Sequence, residues 1–385
     1  MTNPHQDLAS AARRVVSAIF FMCGSFIGIW ASRIPHVKAG TGLDESGFGL
    51  LLLVMACGAF ASFPLAGLLI DRRGAAPVTK FFAAATVVGF LLVGLAPSVP
   101  LLTAALFLAG FSFGALDVSM NGWGAEVETA LGRPIMSSYH GLFSLGAATA
   151  ALLGGAAIEA GLSVALHFIL WVALTAPFLV WFWRQPWPQI AGPSDAAKAP
   201  LFALPKGALV LVGLMALVAA LGEGAVTDWA ALYQIGDLGY SEAIAPTAFT
   251  IFSTAMVIMR LSGDKVIARF GAVRVARWSG LVAFAGCLLL VSGLNIWSVW
   301  AGCFIMGLGY AVLFPLAMSR AAGDPHMSRG SALAAVATLG YGAFLFGPPV
   351  LGFVGDLLSL RASFAVVAVL TMAIPLLAGS LKVRS

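Results

Sequence analysis

The chain has 385 residues, of which 60% are hydrophobic and only 10% charged, and its mean hydropathy is +0.98. Because soluble domains carry about 25% charged residues, this composition excludes a soluble enzyme, a nucleic-acid-binding protein and a disordered scaffold. The net charge is +5, and the four cysteines lie in apolar runs without paired spacing. That pattern predicts buried thiols rather than a disulfide framework or a metal site.

The hydropathy pattern predicts an all-α membrane protein with twelve transmembrane helices, since a helix needs about 20 apolar residues to cross a bilayer. The predicted spans, in chain order, are 13–35, 45–70, 77–97, 100–125, 135–160, 163–184, 206–234, 243–266, 273–294, 297–320, 330–356 and 361–381. The first span lacks a small-residue cleavage site, so we expect it to be retained rather than removed as a signal peptide.

The distribution of basic residues predicts the orientation of these spans. With the N-terminus inside, 17 of the 21 lysines and arginines fall in cytoplasmic loops, Arg33, Lys38 and Arg361 fall outside, and Arg260 lies within span eight. Cytoplasmic loops of membrane proteins are rich in lysine and arginine. We therefore expect a multi-pass protein of the bacterial inner membrane, the plasma membrane, with both termini in the cytoplasm.

A proline-rich stretch at the midpoint predicts two halves. Prolines disfavour a continued helix, so the chain divides into a six-helix bundle at 1–184, a cytoplasmic linker at 185–205 and a second six-helix bundle at 206–385. The halves show weak internal similarity, which predicts pseudo-symmetric repeats. Residues 67–74 follow span two, and a comparable acid and base, Asp264 and Lys265, end span eight with Gly271 beyond.

Residues 67–74, G-L-L-I-D-R-R-G, resemble the loop 2–3 signature G-x-L-x-D-R-x-G-R-R of the major facilitator superfamily, with Ala75 and Ala76 replacing its final basic pair. Segments 30–35, 116–121 and 138–141 are similar to its MosC/YbjJ-type branch, which is distantly similar to fucose–proton symporters. The resemblance implies two bundles rocking about a central site. Those symporters carry an acid four residues before an asparagine in helix four, as Asp117 precedes Asn121, and a further acid in helix one, which span one lacks.

Titratable groups inside the membrane are candidates for proton coupling, because burying a charge in the bilayer is costly. Asp117, Glu223 and His140 are the candidates here. Asp117 shares a helical face with Gly110, Gly114 and Asn121, which predicts a carboxylate beside an open cavity. His140 is predicted at a similar depth in the membrane, so its side chain could approach Asp117. The alternatives are buried structural pairs, and a glycine pair that serves only close helix packing.

Other residues are candidates for gating and for solute binding. Arg33 and Asp228 lie near the outer ends of spans one and seven, where they form either an outer latch or two independently snorkelling charges. Three charged residues at cytoplasmic helix ends predict either an inner latch or local loop structure: Asp71, Arg72 and Asp264. Aromatic and amide groups within the spans would bind solute or simply pack: Trp30, Asn121, Tyr139, Tyr310 and Tyr341.

The sequence contains no HExxH, GxSxG or P-loop motif, which argues against a membrane enzyme and against ATP-driven transport. A non-transporting sensor is disfavoured because no length remains for an output domain. We therefore expect a secondary active transporter of a small polar solute such as a sugar or cyclitol. We expect proton symport by alternating access, in a monomer without a cofactor. The alternative is a proton-driven exporter of a metabolite or drug.

Overall fold

The computed structural model describes residues 4–43, 45–187, 205–240 and 246–382. The described chain is almost entirely helical and contains no strand, which confirms the predicted all-α class. Its helices are α1 Pro4–Thr41, α2 Glu45–Arg73, α3 Ala75–Leu95, α4 Val99–Leu131, α5 Met136–Glu159, α6 Val164–Arg184, α7 Ala208–Gly236, α8 Pro246–Phe270, α9 Ala272–Ser292, α10 Ile296–Tyr310, α11 Leu313–Ala322, α12 Arg329–Leu357, α13 Leu360–Thr371 and α14 Ala373–Leu377.

Eleven segments of the described chain are long and apolar enough to cross a membrane. Two of them contain a break, because α10 and α11 together form Ile296–Ala322, and α13, α14 and a final 3-10 turn form Leu360–Leu381. Helix α8 is long enough but less apolar, since threonines, serines and Arg260 dilute its hydrophobic residues. Counting α8, the structure contains a helix for each of the twelve predicted spans.

The helices divide into two compact units. Unit 1 comprises Met1–Arg133, Leu142–Ala203 and His326–Ala334, and unit 2 comprises Pro134–Gly141, Leu204–Pro325 and Ala335–Ser385. The units follow the two sequence halves except at two short segments. The first residues of α5 belong to unit 2, and the first residues of α12 belong to unit 1.

Glycines bring helices of unit 1 into backbone contact. Helix α4 packs against α2 and α3. A methyl group built on Gly110 would lie 1.9 Å from the carbonyl oxygen of Met55, and one built on Gly24 would lie 1.9 Å from that of Phe143. Small residues allow this approach, which maximises van der Waals contact where lipid supplies no hydrophobic drive between helices.

Unit 2 is built by the same kind of packing around α9 and α10. Methyl groups built on Gly286 and Gly302 would each lie 2.6 Å from a backbone nitrogen of the facing helix. Span ten breaks at residues 311–312, between α10 and α11. The break leaves backbone carbonyls of α10 without helical partners, which matters for the charged residues described below.

Two equivalent glycines mark the repeat. Gly74 joins α2 to α3 with φ 81° and ψ 158°, and Gly271 joins α8 to α9 with φ 80° and ψ 151°. Residues with a side chain rarely adopt this region of backbone space, so glycine is required at both turns. The acids that precede these glycines differ in position by about one helical turn. Asp71 lies three residues before Gly74, whereas Asp264 lies seven residues before Gly271.

We predict that Gly110→Ala destabilises the protein by about 1–3 kcal/mol, because the added methyl group forces the backbones of α2 and α4 apart. Thermal unfolding of the purified protein in detergent measures this effect. Gly155→Ala in α5 is the matched control, since nothing lies within 4 Å of a methyl group built there. Equal melting temperatures for the two variants would contradict the predicted backbone contact.

Candidate functional site

The predicted carboxylate and amide of α4 lie together inside unit 1. Asp117 is 4% exposed and Asn121 is fully buried. The Asn121 amide donates to the backbone carbonyl of Asp117 at 2.9 Å, and its nitrogen lies 3.5 Å from the carboxylate oxygen Oδ1. The thiol of Cys23 on α1 is within electrostatic range of the same carboxylate. This arrangement places an ionisable group in the interior of a helix bundle, next to an amide that can respond to its protonation.

The glycines beside Asp117 do not open a cavity, which corrects one expectation from the sequence. Gly110 faces the Met55 carbonyl, and a methyl group built on Gly114 would lie 2.7 Å from the Ser62 hydroxyl. Helix α2 therefore fills the space that the glycines leave. The alternative interpretation, close helix packing, is the one that the structure supports at these two positions.

Arg33 is 1% exposed and is bound within unit 1. Its Nε donates to Nδ1 of His167 at 3.0 Å, and its Nη2 donates to the Leu162 carbonyl at 2.9 Å. An Nδ1 that accepts a hydrogen bond carries no proton, so the imidazole is neutral in this arrangement. Sequence reasoning missed His167, although a single histidine in an otherwise apolar span was a signal. Asp228 lies exposed on α7 in unit 2, and the Arg33–Asp228 latch stays a prediction.

Asp71, at the end of α2, binds the start of α12 in unit 1. Its carboxylate accepts from the backbone N–H of Gly330 at 2.8 Å and from the hydroxyls of Ser328 and Ser331 at 2.5 and 3.1 Å. The first N–H groups of a helix have no partner within the helix, and the helix dipole favours a negative charge there. Asp71 is therefore a buried helix cap contributed by a distant part of the chain, and Arg72 lies exposed beside it.

Glu126 is a second buried carboxylate of unit 1 that sequence reasoning missed. It is 3% exposed, accepts from Arg329 Nη1 at 2.9 Å and from Trp187 Nε1 at 2.8 Å, and forms a hydrogen bond with the backbone of Ala75. The predicted fourth span ended at residue 125, which placed Glu126 in a loop, whereas α4 continues to Leu131. The structure thus joins α3, α4, the residues after α6 and the start of α12 at one carboxylate.

Asp264 performs the equivalent role in unit 2, at the start of α5. Its Oδ1 accepts from the backbone N–H of Ser137 at 3.0 Å, and its Oδ2 accepts from the N–H of Ser138 at 3.1 Å and from the Ser138 hydroxyl. The Ser137 hydroxyl donates to the carbonyl of Arg260 at 2.7 Å. The two acids predicted at cytoplasmic helix ends therefore both cap the N-terminus of another helix.

Glu223 and Arg260 form an ion pair in unit 2. Arg260 Nη2 lies 3.2 Å from Glu223 Oε2, and the side chain of Glu223 is 34% exposed. Arg260 Nε also donates to the carbonyl of Ala311 at 3.2 Å, at the break between α10 and α11. The sequence indicated Glu223 as a candidate, but it placed Arg260 within span eight without assigning it a role in the site. The pair gives unit 2 a polar centre with one accessible member.

Aromatic rings form a row in unit 2. The His140 ring lies 5.8 Å from that of Phe314, which lies 5.4 Å from Tyr341, and Tyr341 lies 5.9 Å from Phe344. His140 is also within electrostatic range of Arg260. Two predicted residues, His140 and Tyr341, are thus brought into one cluster with the ion pair, while Asp117 belongs to unit 1. The predicted approach of His140 to Asp117 stays a prediction.

The remaining predicted binding residues are buried. Trp30 and Tyr139 are 5% and 1% exposed. The Tyr310 hydroxyl forms hydrogen bonds with Thr371 at 2.5 Å and Cys287 at 3.4 Å, and its ring fills the space above Gly222, where a methyl group would lie 2.2 Å from the ring. This geometry favours the packing role for Tyr310. Among the described residues, no group of three His, Cys, Asp or Glu side chains is placed to hold a metal ion.

Comparisons with known proteins agree on one family. The Major Facilitator Superfamily profile matches residues 15–343. The chain is 40% identical over 373 residues to the uncharacterized transporter y4wD of Sinorhizobium fredii, covering 96% of this chain and 98% of that protein. It is 29% identical over 369 residues to the membrane protein MosC of Rhizobium meliloti, covering 96% of this chain and 89% of MosC.

A solved structure with the same fold is the transporter FucP in its outward conformation, with a TM-score of 0.78, 15% identity, and 96% of this chain and 98% of that chain covered. A second solved structure, also of FucP, is described as that of the fucose:proton symporter of E. coli. These findings confirm the resemblance drawn from the sequence motifs, including that to MosC. The chain is a multi-pass membrane protein that belongs to the Major Facilitator Superfamily of transporters.

Proposed function

We propose that this protein is a secondary active transporter that moves a small polar solute together with protons by alternating access. In this proposal it is a monomer in the bacterial inner membrane with both termini in the cytoplasm. The proposed bundles, 1–184 and 206–385, are joined by the cytoplasmic linker 185–205. Membership of the superfamily supports the transport role, and the fold likeness to a sugar:proton symporter supports the coupled mode.

The observation that carries the proposal is the burial of Asp117. At 4% exposure its ionised form has lost most of its hydration, and an ionised carboxylate in such a place is costly unless it is compensated. Binding a proton removes that cost. The Asn121 amide can donate to the ionised form and accept from the protonated form, so it would adjust when the proton arrives or leaves.

The ion pair and aromatic row of unit 2 supply groups suited to a polar solute. The partly exposed Glu223 and the guanidinium of Arg260 offer hydrogen-bond acceptors and donors, and Tyr341 offers a ring face with a hydroxyl tip. Solutes with several hydroxyl groups match such a combination. His140 is a third proposed coupling residue, because it lies within electrostatic range of Arg260, whose positive charge is offset by Glu223 while the ion pair is formed.

Asp71 and Asp264 are proposed as conformational latches. Each carboxylate holds the first turn of one helix through charge-assisted hydrogen bonds, which are the stronger kind. Movement of that helix turn away from its cap would break the hydrogen bonds between the carboxylate and the N–H groups of the turn. The latches would therefore stabilise one conformational state until the binding of solute or protons shifts the equilibrium towards another state.

We predict that Asp117→Asn abolishes the proton-dependent part of transport while leaving the protein folded, because the amide cannot bind and release a proton. Infrared difference spectroscopy between acidic and alkaline buffer measures the protonation directly. The wild-type protein should show a protonated-carboxyl band that Asp117→Asn lacks. Glu128→Gln, at a partly exposed position on the same helix, is the matched control and should keep the band. A band that survives in Asp117→Asn would refute the assigned role.

We predict that the solute raises the melting temperature of the purified protein, because a ligand that binds only the folded state stabilises it by mass action. A thermal-stability screen should cover sugars, inositols, amines, carboxylates and common drugs. A saturable shift with a hydroxylated solute, reduced in Glu223→Gln, is the expected result. Stabilisation only by lipophilic cations would instead favour the exporter alternative.

We predict that Asp71→Ala loosens the start of α12, because it removes the acceptor of three hydrogen bonds. The expected cost is about 1–3 kcal/mol, the typical penalty for leaving buried donors unsatisfied. Amide hydrogen exchange should become faster at Gly330 and its neighbours. Asp356→Asn, at an exposed position in the same helix, should leave this exchange unchanged. Unchanged exchange in Asp71→Ala would show that the cap does not hold the helix start.

A further inference from the structure

A groove of about 800 Å³ runs between α1, α5 and α6 within unit 1. Along α1 it extends from Ser10 to Ser25, which is about 22 Å at 1.5 Å per residue. It is separate from Asp117, from both helix caps and from the residues of unit 2. None of the residues discussed above as coupling, binding or gating groups lines it.

One end of the groove is strongly basic. Arg13 and Arg14 of α1 and Arg133, just beyond α4, all line it. Among the described residues, the salt bridges involve other side chains, and none includes these three arginines. Three guanidinium groups of like charge therefore line one end of the groove, and the described residues that line it include no carboxylate. Such a cluster attracts an anion, and a phosphate group matches the two-point geometry in which a guanidinium group donates.

The rest of the groove is mainly apolar. Its walls are formed by Phe21, Leu153, Leu174 and Phe178, with Ser25 as a polar group at the far end. From Arg14 to Ser25 the helix rises about 16 Å, close to half of the roughly 30 Å hydrocarbon core of a bilayer. A groove with a cationic mouth and an apolar wall one leaflet deep matches an amphiphile rather than a water-soluble solute.

We propose that this groove binds an anionic phospholipid, with its phosphate held by Arg13, Arg14 and Arg133 and one acyl chain lying between α1, α5 and α6. The mouth lies on the side where the basic loops place the cytoplasm, so the lipid comes from the cytoplasmic leaflet. Basic pockets between transmembrane helices on that side recognise anionic headgroups. The bound lipid would brace the tight contact between α1 and α5 made at Gly24.

The test titrates phosphatidylglycerol into the purified full-length protein and counts bound lipids by native mass spectrometry. Phosphatidylcholine with the same acyl chains is the neutral comparison. We expect a saturable site for phosphatidylglycerol whose affinity falls about fivefold for each arginine changed to glutamine in Arg13→Gln, Arg14→Gln and Arg133→Gln. The control variant Arg184→Gln/Arg274→Gln/Arg277→Gln removes the same charge at exposed positions outside the groove and should keep the site.

A second variant tests the apolar wall without changing charge. Ala18→Trp fills the groove and should weaken phosphatidylglycerol binding, whereas Val88→Trp, at an exposed position on α3, should not. The proposal is overturned if phosphatidylcholine binds as tightly as phosphatidylglycerol, or if the groove and control variants lose affinity equally. It is also overturned if glycerol phosphate, which has the headgroup chemistry but no acyl chain, displaces the lipid at equal concentration.

Discussion

Several charged side chains in this protein bind the ends of helices, and much of the structure depends on these contacts. Within a bilayer no water is available, so the first N–H groups and last carbonyls of every helix need partners. Asp71, Asp264 and Asp237 accept from the starts of α12, α5 and α13. Arg33 and Arg260 donate to carbonyls just beyond the ends of α5 and α10. In each case the sign of the side chain opposes the charge of the helix dipole, so one contact satisfies both groups.

Asp117 occupies a different kind of place. It lies in the interior of a 33-residue helix, beside the Asn121 amide of the same helix. Its ionised form has lost most of its hydration there, and binding a proton removes that cost. This burial inside a helix is the physical reason for proposing Asp117 as a coupling residue. The carboxylate of Glu223 is more exposed, and its partner Arg260 also binds the carbonyl at the break in span ten.

The sequence predicted the helical class, the spans and the family, because hydropathy and the 67–74 motif are local signals. It also predicted that Asp71 and Asp264 act at helix ends. It did not predict the buried ion pair of Glu126, because its partner Arg329 lies 203 residues later and no local pattern indicates a contact over that distance. The prediction of a cavity at Gly110 was wrong for a related reason. A glycine leaves space on one helix, but only the three-dimensional packing decides whether another helix or a ligand occupies it.

The assignment of His326–Ala334 to unit 1 has a consequence for biosynthesis. Ribosomes deliver the chain from its N-terminus, so α1–α6 are complete long before these nine residues are made. Until then Asp71 lacks its helix start and Glu126 lacks its arginine. The early half of the protein is therefore in the membrane with the Asp71 carboxylate lacking its partners on α12 and with Glu126 held only by Trp187 and Ala75, and it reaches its final form only when the eleventh span is inserted. A chain truncated before that point cannot complete even its first unit, because residues 326–334 belong to it.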